Sequence, residues 1–171
     1  MHNGIREQLT ESDVKKIEEE INHRKLVVRP AALKALKEAR AMGDLSENFE
    51  YYAAKRDNNL NNSRIRFLEK MLRTAVIISD RSAADEVGMN NTVDVYFEED
   101  DCTETYRIVT SIRGNSQRGL ISNESPLGKA LLGHKVGDRV LVEVNADYSY
   151  YVVIKRLEKT GDSDDDRLKQ Y

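Results

Sequence analysis

The strongest constraint in this chain is a change of hydrophobic period near residue 80. Before it, apolar side chains recur every three or four positions; after it, they alternate. A period near 3.6 turns one stripe of a helix inward, and a period of two turns one face of a strand inward. A chain of 171 residues with one such change predicts a helical part followed by a sheet part. Glycine divides the same way, with only Gly4 and Gly43 of nine before residue 80. Charge divides too. Residues 1–79 carry 15 Lys/Arg against 12 Asp/Glu, and residues 80–171 carry 12 against 18. A net charge of −3 excludes a protein that simply coats a polyanion.

Thr10-Glu11-Ser12-Asp13 reads as a capping box that opens the first helix. Val14, Ile17, Ile21 and Val28 follow with heptad-like spacing. Pro30 lacks a backbone donor, which predicts a kink or break near Val28-Arg29. Helical spacing resumes through Ala32, Leu33, Leu36 and Ala39 to Gly43. A second run places Ala53, Leu60 and Phe67 seven apart, thickened by Leu68, Met71 and Leu72. Two such stripes joined by a few residues bury themselves against each other, as an antiparallel helical hairpin. Its first arm would run roughly 48 Å at 1.5 Å per residue, too long for a compact globule, so the hairpin is expected to project. The tip falls near residues 43–48.

The later residues alternate: Val93, Val95 and Phe97; Tyr106, Ile108, Thr110 and Ile112; Val140, Val142 and Val144; Tyr150, Val152 and Ile154. Asn145-Ala146-Asp147 reads as a turn. Ser125 as N-cap, Pro126 at N1 and Gly133 past the end mark one short helix. The expected class is α+β. It has an antiparallel coiled-coil hairpin over 1–79, an antiparallel sheet domain with one short helix over 80–160, and an acidic, flexible tail over 161–171.

Cys102 is the only cysteine, so neither an intrachain disulfide nor a thiolate zinc site can form. His2, His23 and His134 share no ligating spacing. The N-terminus has no apolar signal region, and Ala75-Val76-Ile77-Ile78 is far too short to span a bilayer. A cytoplasmic protein without a membrane partner is expected.

Asp44 and Glu47 are three apart at the tip, so both carboxylates can face one way on a first helical turn. They read as acids complementing a helix dipole. They also suit completion of a metal site within another macromolecule, because Mg²⁺ is commonly held by one or two carboxylates plus waters and phosphates. Leu45 reads as local packing or as a docking contact. Lys55, Arg56, Arg64, Arg66, Lys70 and Arg73 against Asp57 and Glu69 read as a solvated face or as a basic stripe for a nucleic-acid backbone. Tyr51 and Tyr52 read as cross-hairpin packing or as a base-stacking platform.

The run Ala39-Arg40-Ala41-Met42-Gly43-Asp44-Leu45-Ser46-Glu47-Asn48, with Glu50-Tyr51 and Ala53-Ala54-Lys55, closely resembles the tip of bacterial Gre transcript cleavage factors. Ile121-Ser122-Asn123-Glu124-Ser125-Pro126-Leu127-Gly128-Lys129-Ala130-Leu131-Leu132-Gly133, then Val136-Gly137-Asp138, resembles the second signature of that family. The likeness covers roughly residues 8–158. It implies a GreA-like elongation factor, monomeric, whose coiled coil enters the secondary channel of RNA polymerase. There Asp44 and Glu47 would help hold a Mg²⁺ shared with the polymerase and promote hydrolysis of the extruded nascent RNA 3′ segment. The chain would have no activity or bound metal alone. The likeness also implies an FKBP-like C-terminal domain, docking through Ser125 and Pro126, and RNA held by Lys55, Arg56, Arg64 and Arg66.

Two readings compete. One is a channel-binding relative that inhibits polymerase without cleavage, against which the Asp44/Glu47 pair argues. The other is a proline isomerase. That needs an aromatic-lined pocket, whereas Tyr96, Phe97, Tyr106, Tyr148, Tyr150 and Tyr151 read as strand faces. Asn58-Asn59-Leu60-Asn61-Asn62 departs from the family, and asparagine's weak helix propensity predicts a loosened second arm.

Overall fold

The structure, a computed structural model, describes residues 6–44, 48–162 and 167–170. The chain divides into two compact units: Met1–Glu7 with Val14–Ala75, and Gln8–Asp13 with Val76–Tyr171.

The first unit is a two-armed helical hairpin. One arm runs through α1 (Glu11–His23), which enters this unit at Val14, a π-helical turn over Arg24–Val28, and α2 (Arg29–Arg40). The other is α3 (Phe49–Thr74). The break expected at Pro30 does not occur. Val28 and Arg29 keep helical φ/ψ of −69°/−47° and −61°/−49°, and the Arg29 N–H reaches back five residues to the Arg24 carbonyl. Widening the turn re-registers the ladder, so Pro30 stands in the first turn of α2, where a missing donor costs least.

Ile17, Ile21, Ala39, Ile65, Leu68 and Met71 are buried in this unit. Along α3 the buried positions are 61, 64, 65, 68 and 71, spaced by threes and fours. Of the expected stripe Leu68 and Met71 are buried and Ala53 and Leu72 half-buried, while Leu60 is 61% and Phe67 39% exposed.

The seam is polar where the asparagines meet the π turn. Asn61 Nδ2 donates to the Arg24 carbonyl (3.3 Å) and its Oδ1 accepts from Arg24 Nη1 (3.1 Å); Asn62 Oδ1 accepts from Arg29 Nε (3.0 Å). Beside them Glu20 accepts from Arg24 Nε (2.7 Å) and Arg64 Nε (2.9 Å). The Asn-rich run therefore ties α3 to the first arm instead of loosening it. Residue 20 pairs with 64, 24 with 61 and 39 with 48, so the arms are antiparallel.

The second unit is built on a five-stranded sheet, ordered β5 (Leu120–Ser122), β4 (Cys102–Val109), β3 (Thr92–Phe97), β7 (Ser149–Glu158), β6 (Arg139–Glu143). The sheet is mixed, not wholly antiparallel as expected, because β4 and β5 run parallel. Two short strands, β1 (Gln8–Leu9) and β2 (Val76–Ile77), also pair in parallel. Val87, Met89, Val93, Val95, Ile108, Leu131, Val140, Val142, Val152 and Ile154 form the core. Their alternation follows the strand pleat.

Thr110 and Ile112 do not extend β4. A 3₁₀ turn over Ser111–Arg113 takes over and buries Ile112 and Arg113. Arg113 pairs with Asp13 (2.6 Å), both fully buried, and with Asp162 (3.0 Å). Asp13 also closes the capping box, accepting from Thr10 N–H (2.9 Å) while its own N–H donates to Thr10 Oγ1 (3.2 Å).

Helix α4 (Pro126–Leu131) is capped by Ser125, whose Oγ accepts from Gly128 N–H (3.1 Å). Gly128 is obligatory: a Cβ there would lie 2.1 Å from the Ser122 carbonyl oxygen. The described part of the tail is anchored, with Asp162 on Arg113, Leu168 buried and Lys169 N–H bonded to the Ile112 carbonyl (2.6 Å).

Candidate functional site

The connection between α2 and α3 is built by three local features. Ala41 closes the last turn of α2, its N–H shared by the Lys37 and Glu38 carbonyls. Gly43 takes φ +116°, a conformation that disfavours any side chain. Asn48 then starts α3. Its Oδ1 accepts from Tyr51 N–H (2.9 Å), and its Nδ2 donates to the Ala39 carbonyl (2.8 Å). One asparagine thus caps the second helix and satisfies a terminal carbonyl of the first. An N-cap asparagine just ahead of a helical run was the readable signal for it.

Asp44 follows Gly43 and is exposed. Glu47 and Leu45 lie outside the described residues. Around the connection Met42 and Phe49 are strongly exposed. Arg40 lies over the Tyr51 ring (5.6 Å), placing Tyr51 in cross-hairpin packing, while Tyr52 is half exposed and meets Tyr51 edge-on at 5.5 Å.

The basic residues of α3 separate into two groups. Lys55, Arg56, Arg66, Lys70 and Arg73 are exposed. At about 100° per residue Lys55, Arg66 and Arg73 share one face, with Lys70 beside them and Arg56 further round. Arg64 is not on this surface. Its side chain is 8% exposed, bonded to Glu20 and set over the Phe67 ring (5.5 Å). Burial raises the Glu20 carboxyl, but the hydrogen bonds from Arg64 and Arg24 outweigh it and hold the group below the usual carboxylate range. Arg64 therefore holds the hairpin together and is withdrawn from the RNA-contact set expected from the sequence.

Ser125 and Pro126 sit at the start of α4. The Ser125 hydroxyl donates to the Ser122 carbonyl (2.6 Å) while accepting from Gly128, and Pro126 is exposed. The serine shapes the loop, and the proline is the part open to a partner.

Among the described residues no group of three or more His, Cys, Asp or Glu is placed to hold a metal ion. The donor set offered by the tip sequence, Asp44 with Glu47, consists of hard carboxylate oxygens. It fits a Mg²⁺ whose other ligands come from elsewhere. Among the described residues no helix is long and apolar enough to cross a membrane.

Residues 7–77 match the family model for the N-terminal domain of transcription elongation factors, and residues 82–158 match that for the GreA/GreB C-terminal domain. The chain is 42% identical to transcription elongation factor GreA of Streptococcus pneumoniae serotype 19F (strain G54) over 154 residues, covering 90% of this chain and 96% of that protein. It is 43% identical to GreA of Streptococcus thermophilus (strain ATCC BAA-491 / LMD-9), over the same shares. Among solved structures it is similar to GreA factor homolog 1 (Gfh1) of Thermus thermophilus, at 24% identity and TM-score 0.42, covering 90% of this chain and 99% of that one. Both domain models in order, with identity above 40% over nine-tenths of the length, place this chain in the GreA/GreB family of transcription elongation factors.

Proposed function

We propose that this chain acts in the cytoplasm as a monomeric elongation factor on RNA polymerase, entering the secondary channel with its helical hairpin and stimulating the polymerase's own cleavage of backtracked RNA. The observation that carries this reading is Asp44, an exposed carboxylate set just after a left-handed glycine on the connection between the two arms. A carboxylate at the end of a helical arm about 39 Å long can reach a buried reaction centre that a globular face cannot.

Asp44 and Glu47 would be the residues that hold a Mg²⁺ shared with the polymerase. An ion held there would supply polarisation of the phosphodiester and of its attacking water. The chain's own work is positional. Asn48 fixes the start of α3, and Gly43 sets the direction of the chain leading to the Asp44 carboxylate. Lys55, Arg56 and Arg66, with Lys70 and Arg73, supply exposed positive charge suited to the RNA backbone. Pro126 is offered for docking on the polymerase surface. The chain has no stand-alone nuclease role in this scheme.

The test uses stalled transcription complexes carrying end-labelled RNA. Asp44→Asn and Glu47→Gln are each expected to lower stimulated cleavage about 100-fold, while competition binding to polymerase stays within about twofold. Normal cleavage by both variants overturns the metal role. Inhibited run-off by the unmodified protein without shortened RNA replaces the reading with that of a channel-binding inhibitor.

A further inference from the structure

At one end of the sheet, where the β3–β4 and β6–β7 turns lie side by side, four aromatic rings form a continuous chain. Tyr106 meets Phe97 edge-on (6.1 Å), Phe97 meets Tyr150 (5.9 Å), and Tyr150 meets Tyr148 (5.7 Å). Phe97, Tyr106 and Tyr150 pack on the core on one side. Phe97 and Tyr150, together with Tyr148, also border a cavity of about 220 Å³ lined by Phe97, Glu99, Asp100, Tyr148, Tyr150 and Tyr151. Phe97, Tyr150 and Tyr151 lie on strands as expected, and with Tyr148 they also line a small pocket with two carboxylates and no basic side chain.

The same unit shows what such a combination binds, because it makes it twice with its own cations. Arg139 lies 3.5 Å over the Tyr151 ring and forks onto Glu98 (2.7 and 2.8 Å). Lys155 stands 5.2 Å from the Tyr96 ring, whose hydroxyl donates to Asp101 (2.8 Å). Each site joins a π face, a carboxylate and a cation. In the pocket, Tyr151 already carries Arg139, whereas the Phe97, Tyr148 and Tyr150 rings and the Glu99 and Asp100 carboxylates are joined by no such cation among the described residues. Ring faces and carboxylates both attract a guanidinium, and a planar guanidinium can stack and fork at once. The volume lies below that of pockets for drug-sized ligands and suits a single side chain.

We propose that this aromatic and acidic pocket is a docking site for one arginine side chain presented by a protein partner. Tyr148 and Tyr150 supply the stacking faces, and Glu99 and Asp100 supply the counter-charge. Tyr148 Oη donates to Glu99 Oε2 (3.2 Å), which holds that carboxylate at the rim. Charge complementarity selects the occupant: a neutral or acidic side chain would meet two carboxylates with nothing to offset them. The site is separate from Ser125-Pro126, since the β3–β4 and β6–β7 turns close one end of the sheet and the residues leading to α4 leave β5 at the other.

The test is an NMR titration of the full chain with acetyl-Gly-Arg-Gly-amide and with its citrulline counterpart, which keeps the shape and removes the charge. The arginine peptide is expected to shift the Tyr148 and Tyr150 ring resonances and saturate in the millimolar range. The citrulline peptide should bind at least about fivefold more weakly. Asp100→Asn and Tyr148→Ala, both at exposed turn positions, should each weaken the arginine peptide about three- to fivefold. The same spectra report whether each variant is folded, and Asp100→Asn alone decides the matter if Tyr148→Ala does not fold. Equal binding of the two peptides, no shift at these rings, or unchanged affinity in Asp100→Asn overturns the proposal.

Discussion

The two units are specified by opposite means. The sheet unit is held by ten buried aliphatic and methionine side chains, with its one buried arginine, Arg113, set to the side among Asp13, Asn90 and Thr110. The hairpin has only two layers of helix, and its inward stripe passes through Asn58, Asn61 and Arg64. Apolar packing between two helices is tolerant of sliding by a turn. Hydrogen bonds at the π turn are not, because Asn61 reaches the Arg24 carbonyl only in one register. The sheet unit thus takes its definition from volume and pleat, and the hairpin takes a large part of its definition from polar matching. On the proposed function, in which the hairpin presents Asp44 to a partner, fixed register matters more than maximum stability.

The largest effect is expected where charge is most deeply buried. Asp13→Ala leaves the Arg113 guanidinium without its closest carboxylate in a fully buried position. A cost of about 4 kcal/mol is expected, read as lost hydrogen-exchange protection in β3, β4 and the 3₁₀ turn. Protection unchanged within the error of the measurement would mean that Asp162 alone neutralises Arg113.

The corresponding change in the hairpin is smaller. Glu20→Ala removes the shared acceptor of Arg24 and Arg64, with an expected loss of about 3 kcal/mol, since its pairs are partly open to water. Its pH dependence has a definite sign. The Arg64 and Arg24 hydrogen bonds hold the folded Glu20 pKa below that of an ordinary glutamate, so its stabilisation is complete above the ordinary carboxylate range and is lost as pH falls through the folded value. Stability followed by helix ellipticity should therefore already be lower near neutrality in Glu20→Gln, and should fall less on acidification than in the unmodified protein. Equal slopes would show that other carboxylates carry the acid response.

These contrasts explain what was legible in the sequence. The two periodicities, both helix caps and the strands around Val93–Phe97 and Val140–Ile154 follow local rules, and local rules survive folding. Leu68 and Met71 of the expected α3 stripe are buried, but Leu60 and Phe67, also taken as inward, are exposed. The residues turned inward include asparagines whose partners lie 37 positions away. The π turn was hidden for a related reason: Pro30 announces a missing donor but not how the ladder absorbs it. Arg64 looked like a surface cation, and only Glu20, 44 positions earlier, makes it an internal one. At the tip, Asp44 was singled out from the sequence, whereas the Asn48 cap was not, although an asparagine ahead of a helical run is its signal. The aromatic pocket was not, because its residues come from two hairpins whose pairing is set by the whole sheet.

The smallest effect isolates the tip from both cores. Asn48→Ala removes the acceptor for Tyr51 N–H and the donor to the Ala39 carbonyl, at a cost of about 1 kcal/mol. Asn48→Asp separates the two bonds. Its carboxylate still caps α3, but it cannot donate to Ala39, and it meets that carbonyl with like partial charge. If the cap dominates, Asn48→Asp retains protection in the first turn of α3 and loses it only at the end of α2. If the cross-arm bond dominates, both substitutions fray both ends, and the arms are joined at the tip by that one amide.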